Sequence, residues 1–203
     1  MPEVHPRTHT TALALPATVR ALADHRRRAW RCVGIGATAL VVGLAVGPRA
    51  HQSGIGWLSA LAVFCVGCGP VVAAVGVAAL MNSRRMRRTV ATHTWIACNA
   101  VAIPPGQGPP RVVLRHPVTG TLIPLSVRTV APRYHLTNPE PGGVLWWAGD
   151  SRTGGVIAPP GGEHLLWVRP TQTERARRRD AEAAVRRGLL DRPTPPQPQA
   201  PRT

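Results

Sequence analysis

GWLSALAVFCVGCGPVVAAVGVAALM, residues 56–81, is the stretch that decides the fold of this chain. It carries no charged residue, and NSRRMRR follows it at once. An α-helix rises about 1.5 Å per residue, so a helix over this stretch reaches about 39 Å and crosses the roughly 30 Å of bilayer hydrocarbon with some tilt. We therefore predict a membrane-spanning helix that ends at a membrane-proximal basic cluster. The cluster consists of Arg84, Arg85, Arg87 and Arg88.

A shorter apolar run, residues 29–47, precedes this stretch and is just long enough to cross a bilayer. Trp30 and Arg31 stand at its start, where the indole suits the interface and the long basic side chain reaches the headgroups. A cleaved signal peptide is the alternative. We reject it because Gly-Pro-Arg follows the run in place of a small-x-small cleavage site. The two runs predict a transmembrane helical hairpin joined by a short loop at 48–55.

The distribution of arginine predicts how the hairpin is oriented. Arginine is abundant before the first run and after the second, whereas only Arg49 lies between them. Because positive residues stay on the cytoplasmic side, we expect a multi-pass plasma-membrane protein with both termini in the cytoplasm. Residues 1–28 form the predicted N-terminal cytoplasmic arm, in which 16–28 is either a short helix or disordered.

The overall charge is +16, and every one of the 25 basic residues is arginine. This charge is spread along the chain with local peaks beside the apolar runs, which suits a membrane surface better than a dedicated nucleic-acid groove. Membrane lipids are therefore the expected partners, and nucleic acid is not expected. The four cysteines do not form a disulfide framework, which fits a reducing compartment.

Residues 89–170 change character, because short β-favouring runs alternate with Pro/Gly turns. Six such runs in about 80 residues predict a small all-β domain, an SH3-like or OB-like barrel, whose type the strands leave open. The candidate strands are 92–103, 111–116, 122–130, 144–148, 156–158 and 164–169.

The end of the chain is basic and then rich in proline. Thr171-Gln172-Thr173-Glu174 matches a capping box and predicts a basic helix over 171–190. Acidic residues offset part of its charge and it holds no aromatic residue for base stacking, so a solvated helix is the favoured interpretation over a nucleic-acid reader. Residues 191–203, which include PTPPQPQAPRT, predict a disordered tail.

Small residues recur at helix-packing intervals in both apolar runs, which allows close approach of two backbones. The predicted helix-packing face lies either within the hairpin or between copies of the chain. It consists of Gly43, Gly47, Cys65, Gly69 and Ala73.

Cys65 and Cys68 also form a Cys-x-x-Cys pair, for which an intramembrane redox role is the functional alternative. We favour packing, because a thiolate is strongly disfavoured in hydrocarbon and no histidine or carboxylate lies at the same depth.

Trp146 and Trp147 are adjacent on a predicted strand and therefore face opposite sides of it. One should enter the core, and the other, with Trp167 or Trp95, could line an exposed patch. The candidate interaction surface is accordingly Trp146, Trp147 and Trp167. Its alternative is burial of both faces in a small barrel.

No arrangement typical of catalysis or metal binding stands out. The histidines of the β region are scattered, without metal-ligand spacing, and no nucleophile-elbow or phosphate-loop motif is found in the sequence. We therefore predict a protein that is not an enzyme, with no catalytic residues, no cofactor and no metal.

The stretch GGVLWWAGDSRTGGVIAPPGGEHLLWVRP, residues 142–170, resembles the C-terminal part of uncharacterised actinobacterial two-span membrane proteins. The architecture is also similar to that of the NfeD-like proteins, in which a small β-barrel follows membrane helices, although their motifs are absent. The resemblance implies a cytoplasmic β-domain after two spans and implies no catalytic residues.

The main hypothesis is a non-enzymatic membrane protein whose hairpin tethers a small β-domain for protein interaction or membrane assembly. A membrane-protein partner or a homo-oligomer is then expected. Two alternatives stay open, namely a membrane-anchored binder of anionic lipid or nucleic acid through the arginine clusters, and a membrane redox protein using Cys65 and Cys68.

Overall fold

The computed structural model describes residues 11–52, 56–104, 109–127, 139 and 143–198. Predictions for other residues, including the strand end at 128–130 and the tail at 199–203, lie outside the described residues. The chain divides into two compact units, a helical unit Leu22–Arg85 and a barrel unit that combines Met1–Ala21 with Met86–Thr203.

The predicted fold class is confirmed, because two long apolar helices are followed by a closed six-stranded barrel and a short C-terminal helix. The helices are α1 (Pro16–Gln52), α2 (Gly56–Thr92) and α3 (Glu174–Arg186), and a short 3-10 helix covers Ala12–Ala14. The strands are β1 (Ile96–Ile103), β2 (Arg111–Arg115), β3 (Leu122–Val127), β4 (Val144–Asp150), β5 (Gly154–Ala158) and β6 (Leu166–Pro170).

The bounds of several elements differ from the prediction. α1 is continuous from Pro16 to Gln52, so residues 16–28 are its first turns and not a separate helix or a disordered arm. Pro48, placed in a loop by the sequence, lies inside α1. α2 extends through the basic cluster to Thr92, so the first strand begins at Ile96 rather than at position 92.

The helical unit is organised by a seven-residue repeat of buried small residues. On α1 the buried positions are Leu22, Ala29, Gly36, Gly43 and Ala50, and on α2 they are Ala62, Gly69, Gly76 and Ser83. A strict spacing of seven is the repeat of left-handed coiled coils. Here the usual large core residues are largely replaced by glycine and alanine, so the two helix backbones can approach each other closely.

Glycine is required at the centre of this contact. A Cβ on Gly36 would lie 2.5 Å from the backbone nitrogen of Ala73 and 2.6 Å from the carbonyl oxygen of Gly69. A Cβ on Gly76 would lie 2.7 Å from the backbone nitrogen of Val33. The two helices run antiparallel, because the residue numbers of the contacting positions on α2 decrease as those on α1 increase. We call Gly36, Gly43, Gly69 and Gly76 the glycine seam.

The barrel is antiparallel throughout and closes in the order β1-β2-β3-β6-β5-β4. Alternate residues point inward, as the sequence pattern of Ile123, Leu125 and Val127 predicts. The interior is filled by apolar side chains and one thiol: Cys98, Ala100, Val112, Leu114, Ile123, Leu125, Val127, Leu145, Trp147, Ile157, Leu166 and Val168.

α3 packs on the outside of the barrel, where Ala184 and Leu189 meet Val101 and Val113. The Asp180 carboxylate, whose side chain is only 2% exposed, accepts a 2.9 Å charge-assisted hydrogen bond from Arg111. Buried charges need partners of this kind. This pair therefore holds the basic helix against the sheet.

The first and last residues of α3 differ from those that the capping box predicted. Thr173 is the N-cap, because its hydroxyl accepts from the Ala176 N–H at 3.3 Å. Thr171 is instead buried at the end of β6, with its hydroxyl 3.5 Å from Asp180. At the other end Gly188 has φ +72°, and the Leu189 N–H bonds the Ala184 carbonyl. This Schellman geometry ends the helix before the predicted Leu190.

Adding one methyl group at Gly36 tests the close packing of the glycine seam. Gly36→Ala would place a Cβ against the backbone of α2, which can give way only if the helices separate. We expect this substitution to destabilise the hairpin by about 1–3 kcal/mol, the usual cost of overpacking. Thermal unfolding in detergent, followed by circular dichroism, measures the loss.

Gly34→Ala is the matched control, since it gains the same helix propensity on the same helix and nothing lies within 4 Å of its Cβ. Equal unfolding temperatures for the two variants would contradict the seam.

Candidate functional surfaces of the hairpin and the barrel

The outer surface of the hairpin carries most of the exposed large apolar side chains. α1 and α2 are both long and apolar enough to cross a membrane. Of the eighteen exposed large hydrophobic residues in the described part of the chain, fourteen lie in the helical unit. They are Trp30, Ile35, Val41, Val42, Leu44, Trp57, Leu61, Val63, Phe64, Val71, Val72, Val75, Val77 and Met81. Soluble proteins rarely expose contiguous apolar surface on this scale.

The residues of the predicted helix-packing face lie between the two helices of one chain. A Cβ on Gly43 would meet Ala62 at 2.9 Å and the Cys65 Cβ at 3.0 Å, and one on Gly47 would meet the Ala62 Cβ at 3.5 Å. Gly69 and Ala73 both lie against Gly36.

The predicted helix-packing face did not include Gly36 and Gly76, although a Cβ on either would lie within 3 Å of the backbone of the other helix. That prediction relied on small residues four positions apart, whereas the repeat of buried positions is seven. A search for glycine and alanine at heptad spacing would have found both.

The four arginines of the membrane-proximal basic cluster are all exposed on α2, and Ser83 and Met86 on the same helix are buried. Arg84 and Arg85 belong to the helical unit, whereas Arg87 and Arg88 belong to the barrel unit. The helix therefore carries its charges away from its packed face.

The predicted tryptophan surface is not an exposed patch. Trp147 is 2% exposed and fills the barrel interior, and Trp167 is 9% exposed on the outer face of β6. Within the described residues the Trp167 indole N–H has no hydrogen-bond partner. Only Trp146 is half-buried, so the alternative of burial on both faces describes these residues better. Strand alternation separates the two faces but does not tell whether the outer one is covered.

Trp146 instead packs on Trp95, with ring centroids 6.1 Å apart and planes tilted by 42°. The Trp95 indole donates to the Thr18 hydroxyl at 3.2 Å, and both side chains are buried. The Ala12 N–H bonds the His93 carbonyl at 2.8 Å. Within the barrel unit this aromatic pair therefore anchors the N-terminal segment, a role that the sequence did not indicate.

The C-terminal segment lies along β1 over residues 191–198, where the sequence predicted disorder. The Gln197 amide accepts from the Ala97 N–H at 3.0 Å and donates to the Ala97 carbonyl at 3.1 Å. Ala97 lies beyond the β1–β2 pairing, which begins at Asn99, so Gln197 takes the place of a neighbouring strand.

Further hydrogen bonds, made by side chains of β1, β2 and the C-terminal segment itself, complete this attachment. The Asn99 amide donates to the Pro193 carbonyl at 2.8 Å, and Arg115 donates to the Leu190 carbonyl at 2.7 Å. Arg192 in turn donates to the Ala100 carbonyl at 3.2 Å. The proline-rich segment has few N–H groups of its own, and the barrel supplies polar partners for its carbonyls.

No group of three or more His, Cys, Asp or Glu side chains in the described residues could hold a metal ion. The four cysteines are free. Cys65 lies towards Gly43 in the seam, whereas Cys68 is exposed on the helix surface. His135 and Glu140 lie outside the described residues.

Comparisons with protein-family models, curated protein sequences and solved structures gave no match to this chain. The resemblance to actinobacterial two-span membrane proteins therefore stays a prediction.

The Cys98 thiol, which lies in the barrel interior, is an unusually weak acid. Burial raises the pKa of the Cys98 thiol from 9.0 to about 12. At pH 8 its thiolate population is about a thousandfold smaller than that of an ordinary thiol, because each pKa unit is a factor of ten. In a variant with Cys98 as its sole cysteine, we expect a maleimide to react slowly until denaturant opens the barrel.

The control is Ser151→Cys in a cysteine-free chain, since this residue is exposed in the turn after β4. Equally fast labelling of the two positions in the folded protein would show that Cys98 is not enclosed.

Proposed function

We propose that this chain is an integral membrane protein whose α1–α2 hairpin tethers a small β-barrel at the cytoplasmic surface. The barrel then serves protein interaction or membrane assembly rather than catalysis. Several independent features of the described residues support this proposal.

The observation that carries the proposal is the reversed placement of large and small residues in the hairpin. In a soluble helical pair the large apolar side chains fill the contact and polar ones face water. Here the contact holds the glycine seam, and side chains such as Ile35, Phe64 and Val71 are exposed. A hydrocarbon solvent favours this arrangement, because in lipid close backbone packing drives helix association.

The charged residues of α1 fit the thickness of a bilayer. Arg31 and Arg49 are both exposed, and no charged residue lies between them. They are eighteen positions apart, which corresponds to about 27 Å along a helix and is close to the hydrocarbon thickness. Trp30 and Trp57 are both exposed and suit interfacial positions at opposite ends of the hairpin.

Loop charge supports the cytoplasmic placement of the barrel. Arginine is concentrated before Cys32 and after Met81, and Arg49, near the C-terminal end of α1, is the only arginine between them.

The construction of the barrel supports a binding role. Its interior is closed by packed apolar side chains, so a partner would meet its outer surface. α3 adds arginine-rich surface there, with Arg175, Arg179 and Arg186 exposed. Anionic or polar surfaces of another membrane protein are therefore the expected complement.

Cysteine labelling tests insertion and orientation together. In a cysteine-free chain we introduce Gln52→Cys at the exposed end of α1, or Ser151→Cys in the β4–β5 turn. We expect a membrane-impermeant maleimide to label position 52 in intact cells and position 151 only after permeabilisation. Alkaline carbonate should leave both variants in the membrane pellet.

The reverse labelling pattern would contradict the cytoplasmic barrel. Release of the protein by carbonate would contradict membrane insertion itself.

A further inference from the structure

Exposed arginines from both helices gather at one end of the helical unit. Arg26, Arg27, Arg28 and Arg31 project from α1, and Arg84 and Arg85 from α2, and all six are exposed. The one acidic residue of this unit, Asp24, lies at the same end. We call these six residues the arginine collar.

The seam fixes the height of each arginine along the hairpin. Gly76 lies against Ala29 and Val33, so Arg31 stands level with the residues around Gly76. Arg84 lies eight positions further along α2, which places it about 12 Å further from the apolar span along the helix axis. The collar therefore covers a band that begins at the level of Arg31 and extends away from the apolar span by about 12 Å.

The directions of the two helices set the axial tilt of the arginine side chains. A Cα–Cβ bond tilts towards the N-terminus of its own helix. The N-terminal part of α1 lies at the collar, so Arg28 and Arg31 lean away from the apolar span. The N-terminus of α2 lies at the opposite end, so Arg84 leans back towards the span. Along the hairpin axis, the collar therefore concentrates its positive charge between the levels of Arg31 and Arg84.

The surface between these arginines is apolar. Val77 is 48% exposed and Met81 is 55% exposed, and the exposed indole of Trp30 adjoins Arg31. A ligand that fits must carry a phosphate for the guanidinium forks and hydrocarbon for these side chains. A nucleic acid would supply the first and leave the second in water.

We propose that the arginine collar binds the phosphate groups of anionic phospholipids in the cytoplasmic leaflet. This inference rests on the proposed membrane insertion. Each basic residue at a charged leaflet strengthens the attraction, so several acting together distinguish an anionic from a zwitterionic lipid. The collar thereby binds a lipid class, in addition to orienting the hairpin.

The experiment uses the full-length protein in nanodiscs of equal parts phosphatidylglycerol and phosphatidylcholine. Native mass spectrometry of the released protein gives the ratio of the two lipids retained. We expect the wild-type protein to retain phosphatidylglycerol in preference by tenfold or more, and the R28Q/R31Q/R84Q variant to lose on the order of tenfold of this preference.

The matched control is R175Q/R179Q/R186Q, which removes the same charge from exposed positions on α3. The control should keep the wild-type preference. The R28K/R31K/R84K variant should keep part of it, because charge remains while the fork geometry is lost.

Three results would overturn the proposal: an unchanged preference in R28Q/R31Q/R84Q, an equal loss in the α3 control, or no preference in the wild-type protein. Binding of an RNA homopolymer through the collar, without any lipid preference, would assign it to nucleic acid instead. Failure of the wild-type protein to enter nanodiscs would count against membrane insertion, and labelling at positions 52 and 151 shows whether each variant keeps its orientation.

Discussion

The close approach of two helix backbones at Gly36 and Gly69 is the constraint on which the hairpin depends. A Cβ on Gly69 would lie 2.8 Å from the Gly36 carbonyl oxygen, so neither position has room for a side chain. With the contact surface occupied by small residues, the bulky apolar side chains can only face outward. The same constraint therefore determines how the helices pair and leaves an apolar outer surface on the hairpin.

The register set by the seam also determines where the charges lie. Because Gly76 meets Ala29 and Val33, the arginines at the start of α1 and those at the end of α2 lie at the same end of the helical unit, within about 14 Å of each other along its axis. An axial shift of one heptad would change their separation by about 10 Å. Packing inside the hairpin thus defines a basic band at a single end, next to the apolar surface.

The barrel unit is stabilised by different means, through an apolar interior and a polar exterior attachment. The Arg111–Asp180 pair holds α3, and Gln197 occupies the open edge beside Ala97. Unpaired strand edges recruit other chains, so covering this one with the C-terminal segment protects the barrel from pairing with another strand.

Much of this architecture could be predicted from the sequence, because it depends on local patterns. The apolar run at 56–81 and the alternation through Ile123, Leu125 and Val127 each indicate their element directly. The outer burial of Trp167 could not be predicted, since a strand pattern does not show what covers its second face. The position of Gln197 depends on a contact a hundred residues away, and composition alone favours disorder there. Gly36 was missed because the prediction relied on small residues four positions apart, whereas the buried positions recur every seven.

The most direct test of the hairpin is a disulfide across its seam, formed in native membranes. A Cβ at Gly47 would lie 3.5 Å from the Ala62 Cβ, within the 3.5–4.5 Å that a disulfide spans. In an otherwise cysteine-free chain, mild oxidation of a Gly47→Cys/Ala62→Cys variant should give an intramolecular bond in the monomer, identified by peptide mass spectrometry. The Gly34→Cys/Ala62→Cys variant should give none, because nothing lies within 4 Å of a Cβ at Gly34. Disulfide-linked dimers of the Gly47→Cys/Ala62→Cys variant, or no bond at all, would contradict a seam formed within one chain.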